Sequence, residues 1–331
     1  MSITPQTEHD VVVRATGLGR HFAAGGGFFG PRRWVRAVDG VDLDIRRGET
    51  FGIVGETGSG KSTLGRLLLR LIAPTAGHVV ISGDTGADDP AFRRRVQVVF
   101  QDPYSALDPR MTIGRQIREP LDIHRIGEAG ARNGMVADLL SSVGLSPAQA
   151  GAYPAELSGG QRQRVSIALA LASNPQIIVA DEPTSALDLS VQAQVLNLLA
   201  ELQRDRGLTL ILITHDLGVV RHFCDRVAVM YLGRIVEQAA TAELFAAPAH
   251  PYTQSLIAAI PDPDPARKTA WQLPQGDPPS PLSPPSGCAF HPRCPHALAR
   301  CRAEAPALRP VGANRVAACH LYEPDPEGAQ P

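Results

Sequence analysis

Apolar and polar residues alternate along Val11–Arg14 and Val38–Ile45, the period-two pattern of strands with one buried face. Between them AAGGGFFGPRRW, residues 23–34, is Gly-rich and reads as a loop. Glu49–Gly55 (ETFGIVG) is a short apolar strand running into a Gly-rich turn, and Leu64, Leu67, Leu68 and Leu71 give Lys61–Leu71 helical spacing. His78–Ile81 and Val96–Phe100 predict further strands. From about Asp102 to Ala172 the pattern is mostly helical, with turns at Pro103, Pro109, Gly127 and Pro147. Gln176–Asp181 (QIIVAD) is a continuous apolar run, as expected of a strand buried on both faces, and Leu208–Thr214 is another. Ser190–Arg206 between them is an amphipathic helix. Strand, helix, strand with short links implies a parallel α/β sheet.

The pattern changes near residue 247. Prolines then crowd in at Pro261, Pro263, Pro265, Pro274, Pro278, Pro279, Pro281, Pro284 and Pro285, which rules out regular helix or central strand and predicts an extended arm. Four of the five cysteines follow it. No repeat at solenoid or propeller period is present.

A chain of 331 residues predicts about two domains. A formal net charge of −1 disfavours a nucleic-acid binder, which neutralises many phosphates with a basic excess. No apolar run approaches the roughly 18 residues a membrane span needs. The start, MSITPQTEHD, lacks the basic and apolar regions of a secretory signal, so the chain is expected in the cytosol with its cysteines as thiols or ligands rather than disulfides. Lysine survives only at Lys61 and Lys268, with arginine used elsewhere.

Lys61 stands in a motif. Gly55, Glu56, Thr57, Gly58, Ser59, Gly60, Lys61 and Ser62 fit G-x-x-x-x-G-K-[ST], after a predicted strand and opening a predicted helix, with Thr63 next. The glycines let backbone N–H groups face phosphates, and the helix N-terminus adds positive potential. Lys61 is expected to reach the β- and γ-phosphates and the Ser62 hydroxyl to ligate Mg²⁺. The loop by itself says only nucleoside triphosphatase.

Asp181, at the end of the run QIIVAD, is placed to hold Mg²⁺, and Glu182 beside it to orient or deprotonate the attacking water. Two adjacent acids at a strand end also describe an exposed turn. Ser158, Gly159, Gly160 and Gln161 form a second Gly-containing turn before the helical segment Arg162–Ala172. That serine reads equally as a phosphate donor and as an ordinary N-cap.

Together, LSGGQRQR, the loop Gly55–Ser62 and IIVADEPTSALD resemble the nucleotide-binding domain of ABC transporters over about residues 11–245. The resemblance implies a P-loop α/β fold with a RecA-like core, an antiparallel β subdomain and a helical subdomain at about 102–173. The cassette is expected over 1–247 and a C-terminal extension over 248–331. It also implies a dimer in which the loop of one subunit and the LSGGQ turn of the other enclose one ATP. Gln101, after the strand VQVVF, matches the glutamine that senses Mg²⁺ and the attacking water. Ser185–Asp188 matches the loop that crosses the dimer interface. His215 matches the switch histidine at the γ-phosphate, although a lone histidine after a strand is more often structural. Phe22 matches the aromatic that stacks on adenine; Trp34 is an alternative, and simple packing explains either ring.

Phe100–Leu121 (FQDPYSALDPRMTIGRQIREPL), His250–Pro265 and Ser280–Pro295 resemble the oligopeptide/dipeptide/nickel importer branch, in its second ATPase subunit. That implies an ATP-hydrolysing motor on the cytoplasmic face of the cell membrane. Its implied partners are two membrane permeases, a second ATPase in a heterodimer (a homodimer being the alternative) and an extracytoplasmic solute-binding protein. Peptides lead as cargo, before nickel, glutathione and other small solutes. Cys288, Cys294, Cys301 and Cys319 are separated by five, six and seventeen residues, without the C-x₂₋₄-C knuckle of structural zinc. Four thiolates suit a [4Fe–4S] cluster, and the branch points the same way. Zinc with His291 or His296, or thiols without metal, are the alternatives. Cys224 is expected to be a buried apolar thiol. The rival class, a soluble ABC ATPase acting on DNA or the ribosome, commonly carries two cassettes or coiled-coil inserts; this chain shows one cassette and no heptads.

Overall fold

The computed structural model describes residues 11–24, 33–83, 89–185, 187–260 and 276–323. Pro261, Pro263, Pro265 and Pro274 of the expected arm therefore lie outside the described residues, as do most of the Gly-rich loop and Ala186. The strands are β1 (Val11–Ala24), β2 (Arg33–Arg46), β3 (Thr50–Val54), β4 (Ala76–Ile81), β5 (Val96–Val99), β6 (Ile177–Asp181), β7 (Thr209–Thr214), β8 (Arg226–Tyr231), β9 (Arg234–Ala240), β10 (Arg309–Gly312) and β11 (Arg315–Ala317). The chain divides into two compact units, one of Met1–Val12, Arg46–Thr50 and Ile81–Ile213, the other of Val13–Ile45, Phe51–Val80 and Thr214–Pro331.

In the first unit β5, β6 and β7 run parallel, with Val99 opposite Ala180 and Asp181 opposite Ile213. Ile177, Ile178, Val179 and Ala180 are all at most 2% exposed, which is why that run carries no polar alternation. Helices Ile113–Ile123, Arg132–Ser142 and Gly159–Leu171 fill the segment read as helical. They close over Ile113, Ile117, Leu121, Leu140 and Val165, each fully buried. Pro103 opens a short helix instead of a turn, because Asp102 caps it by accepting from the Tyr104 N–H at 2.9 Å. The amphipathic helix, Leu189–Arg206, stops at Gly207, whose φ of +61° is the left-handed cap.

In the second unit β3 lies parallel to β8, Val54 opposite Val229. β8 and β9 form an antiparallel hairpin closed by Leu232 (φ +43°) and Gly233 (φ +83°). Both values are positive, as a type I′ turn requires. β11 adds to β9 with Ala317 opposite Glu237, and β10 to β11, so residues on either side of position 247 share one sheet. β1, β2 and β4 form a three-stranded sheet in the order β2–β1–β4. β1 and β2 are longer than the alternating segments that announced them, since main-chain pairing carries on past the buried face. The helix read as Lys61–Leu71 ends at Leu68, with Arg70 at φ +53° and the Leu71 N–H donating back to the Arg66 carbonyl. That six-to-one bond is a Schellman stop made without glycine, and it leaves Leu71 47% exposed.

Candidate functional site

The residues singled out from the sequence fall into groups within each unit. In the second, β3 delivers the chain into the loop Gly55–Ser62 from a strand in which Phe51, Ile53 and Val54 are wholly buried. Close approach of backbone dictates two of the loop glycines. A Cβ at Gly55 would sit 2.1 Å from the Met230 carbonyl oxygen, and one at Gly60 would sit 2.0 Å from that of Ala37, at φ +104°. Gly60 is also the N-cap of helix Lys61–Leu68 and brings no side chain to cap it. The positive end of the helix dipole thus faces the loop. Lys61 is 5% exposed, with Nζ donating to the Gly55 carbonyl at 2.8 Å and the Glu56 carbonyl at 2.9 Å. The Ser59 hydroxyl is buried without a protein partner, an orphaned donor inside the cradle. A glycine-bent loop, a buried lysine, an orphaned hydroxyl and a helix N-terminus are together the parts of a phosphate site.

His215 follows β7 and is exposed. Its position is set by Asp216, whose N–H donates to the Thr214 hydroxyl at 3.0 Å and whose carboxylate caps the next helix through the Gly218 N–H at 2.7 Å. Phe22 is 37% exposed with the Arg20 guanidinium 4.8 Å from its ring centre, and Trp34 is 50% exposed.

In the first unit, the register of β5 and β6 brings Gln101 to Glu182, Nε2 to Oε2 at 3.4 Å. Glu182 has φ +46°, a left-handed backbone that costs an L-residue about 1–3 kcal/mol. Its N–H donates to the Ile213 carbonyl at 2.8 Å and the Ser185 hydroxyl donates to its carbonyl at 3.2 Å, which holds it there. Asp181 is the last residue of β6 and half-buried.

Ser158 is the N-cap of helix Gly159–Leu171, as the plainer reading had it. Its hydroxyl accepts from the Gln161 N–H at 3.3 Å, and the Gln161 side chain accepts from the Ser158 N–H at 2.9 Å, a full capping box. The hydroxyl proton is left for another acceptor, so the cap and a phosphate contact are compatible. Gly160 has a packing reason: a Cβ there would lie 2.5 Å from the Val191 side chain. Asp188 opens helix Leu189–Arg206 without capping it and is exposed, and Leu189 beside it is 85% exposed.

The cysteine-bearing segment belongs to the second unit. The Cys288 N–H donates to the Cys301 carbonyl at 2.8 Å, so close an approach that Gly287 has φ +65° and no room for a Cβ. All five cysteines are free thiols. Burial raises the Cys288 thiol, and its neighbours Cys301 and Cys294 raise it further. Cys319 is pushed up to about 11, first by burial and then by Cys288, Cys294 and Cys301. The four sulfurs are therefore within electrostatic reach of one another. Among the described residues, no three His, Cys, Asp or Glu side chains are drawn together tightly enough for a single metal ion. Cys224 is buried against Gly52, its thiol raised by burial, as an inert apolar filler.

Sequence reasoning missed how the tail meets the loop. Glu237 in β9 is fully buried and accepts from the N–H groups of Ala249 and His250, both at 2.8 Å. His250 Nδ1 caps helix Pro251–Ala258 by accepting from the Tyr252 N–H at 3.0 Å. Burial lowers the His250 pKa to about 4, so the ring is neutral and free to accept. Tyr252 is fully buried, and its hydroxyl accepts from the Glu56 N–H at 2.9 Å. Arg293 then closes on the Glu56 carboxylate with both terminal nitrogens, at 3.0 and 3.1 Å. Only the run His250–Pro251–Tyr252, a helix start, signals any of this in the sequence.

The ABC transporter family matches residues 38–185, and the oligopeptide/dipeptide transporter C-terminal region matches residues 236–301. The chain is 52% identical over 321 residues to the probable peptide ABC transporter ATP-binding protein y4tS of Sinorhizobium fredii, covering 95% of this chain and 91% of that one. It is 47% identical over 296 residues to the oligopeptide transport ATP-binding protein AppF of Bacillus subtilis, covering 87% and 90%. Among solved structures, a dimeric ATP-binding cassette in a post-hydrolysis state with ADP and Pi superposes with a TM-score of 0.61 at 32% identity, over 69% of this chain and 98% of that one.

Proposed function

Because the chain belongs to the family of ABC transporter ATP-binding subunits, an ATPase family, we propose that it is the motor of a peptide importer. The observation that carries this is the union, in one chain, of a phosphate cradle with a C-terminal region of the oligopeptide/dipeptide type. Residues 1–247 form the cassette and 248–331 the extension. No helix among the described residues is long and apolar enough to cross a membrane, so work on a solute needs membrane permeases as partners.

ATP enters the cradle with its phosphates against Gly55, Glu56, Thr57, Gly58, Ser59, Gly60, Lys61, Ser62 and Thr63, and Phe22 or Trp34 covers the adenine. Lys61 pairs with the β- and γ-phosphates, and Ser59 donates its orphaned hydroxyl. Ser62 and Asp181 would hold Mg²⁺, with Gln101 to sense it, and the ion would supply positive charge to offset that of the phosphates. Gln101 orients a water and Glu182 takes its proton as the water oxygen bonds to the γ-phosphorus. The bond to ADP breaks, phosphate leaves, and His215 contacts the γ-phosphoryl oxygens as charge develops. The strained backbone of Glu182 and its Gln101 contact hold that carboxylate in one position. Ser158, Gly159, Gly160, Gln161 and Asp188 act on the nucleotide of a partner ATPase. An exposed Leu189 on the same stretch supports a dimer with a related subunit.

In the helical region, a cavity of about 840 Å³ is lined by Met111, Arg115, Arg118, Glu119, Asp122 and Ile123. Ile123 is 67% exposed there, which suits it to receive a cytoplasmic helix of a permease. The subunit thus works on the cytoplasmic face of the membrane, with cargo delivered by an extracytoplasmic binding protein. Cys288, Cys294, Cys301 and Cys319 are the residues that would hold a [4Fe–4S] cluster in this reading. Burial and sulfur neighbours raise the thiols of Cys288, Cys294 and Cys319, a cost that a cationic centre bound to the thiolates would relieve. Such a cluster would supply a redox-active centre to the tail.

Affinity capture of the chain from its native membranes, with partners identified by mass spectrometry, tests the proposal. Recovery of two multi-span permeases and a second ATPase is expected. Recovery of ribosomes or DNA-repair factors without a permease overturns it.

A further inference from the structure

Glu56 is a carboxylate inside a loop proposed to bind a triphosphate. An uncompensated negative charge there would repel the ligand. Every polar group of this residue is engaged: the carbonyl accepts from Lys61 Nζ at 2.9 Å and from the Ser59 N–H at 3.1 Å. The N–H donates to the Tyr252 hydroxyl at 2.9 Å, and the carboxylate takes both terminal nitrogens of Arg293. The last two partners come from the C-terminal extension.

We propose that Arg293 is a positioning residue for nucleotide binding: it neutralises Glu56 and, with Tyr252, holds the start of the phosphate loop in its binding shape. The extension is then part of the nucleotide site, an inference that rests on the phosphate-cradle reading above. The Arg293 side chain is 7% exposed, and its guanidinium lies 6.0 Å from the Tyr231 ring centre and 5.8 Å from that of Phe290. Tyr231, Tyr252 and Phe290 themselves form one cluster with centroids 4.6–5.4 Å apart. Packed among these rings, the guanidinium has few rotamers, and its two-pronged contact fixes the direction of the carboxylate as well as its charge. Screening by water is weak at such a pair, so its loss is felt at the neighbouring phosphates. Arg293 also stands immediately before Cys294, in the loop that starts at Cys288. That loop therefore reaches Glu56 directly through the Arg293 side chain, and also through Phe290 packed on Tyr252.

A double-mutant cycle on the full chain, read by binding of a fluorescent ATP analogue with Mg²⁺, separates neutralisation from mere tethering. In the native background Arg293→Gln is expected to weaken binding about tenfold, the effect of losing one charge-assisted pair beside an anion. With Glu56→Gln already present, the same change is expected to cost less than about twofold, because no charge is left to neutralise. Equal losses in both backgrounds, or no loss in either, overturn the proposal. Should Arg293→Gln not fold, Arg293→Lys replaces it. Lysine keeps the charge without the fork, so a loss within about threefold is expected and a tenfold loss refutes the charge argument. Failure of the unmodified chain to bind MgATP would strike the phosphate-cradle reading first, and this inference with it.

Discussion

His250 makes a pH-dependent claim on the tail. Its Nδ1 must be unprotonated to accept the Tyr252 N–H, and burial holds its pKa at about 4. The unfolded chain has the ordinary histidine value of about 6.5. Between these values the unfolded state binds more protons than the folded state, so stability falls as the pH drops. The contribution is fully present above about pH 6.5 and is lost as the pH falls through about 4. The whole difference is about 3 kcal/mol, of which about 2 kcal/mol disappears between pH 7 and pH 5. Replacing His250 with Asn keeps a good N-cap acceptor and removes the titration. The assay is thermal unfolding of both proteins at the two pH values. Losing contact with Phe290, 5.7 Å away between ring centres, lowers the variant equally at both, so the difference of differences isolates the proton. The native chain is expected to lose about 4–8 °C more than the variant on acidification, at about 2–4 °C per kcal/mol for a unit of this size. Equal acid sensitivity of the two would refute a neutral histidine cap.

Glu182→Gln is expected to bind MgATP normally but to release phosphate at least about a hundredfold more slowly, whereas Lys61→Ala loses the binding itself; nucleotide titration and phosphate release on the same samples separate the two. Gly60→Ala must push a Cβ against the Ala37 carbonyl, 2.0 Å away, and should abolish nucleotide binding and lower the melting temperature. Gly130→Ala, with open space around it, should leave both measurements unchanged. After anaerobic reconstitution with iron and sulfide, Cys301→Ser should lack the visible absorption of an iron–sulfur cluster and Cys224→Ala should retain it; absorption that survives Cys301→Ser removes that thiol from the ligand set.

What could be read from the residues alone follows from chemistry that is local in the chain. The phosphate loop needs its glycines and lysine within eight positions, so Gly55–Ser62 was legible at once, whereas Ser158–Gln161 read equally as a phosphate turn and an N-cap, and the structure added the capping box. Doubly buried strands lose their polar alternation, which made Ile177–Asp181 and Thr209–Thr214 equally plain. The hairpin of β8 and β9 was not legible. Its turn is Leu232–Gly233, and leucine at positive φ is held there by the strands, not announced by an Asn-Gly or Asp-Gly pair. The stop at Arg70 and the left-handed backbone at Glu182 are hidden for the same reason: surrounding hydrogen bonds impose a conformation that the residue's own propensity disfavours. Tertiary structure alone decided that Tyr252 and Arg293 reach Glu56 across 196 and 237 positions of sequence, since a pairing that distant leaves no period or spacing in the chain. It also decided that Gly55 and Gly60 are required by the carbonyls of Met230 and Ala37 as well as by phosphate, because only packing brings those backbones within a Cβ's width.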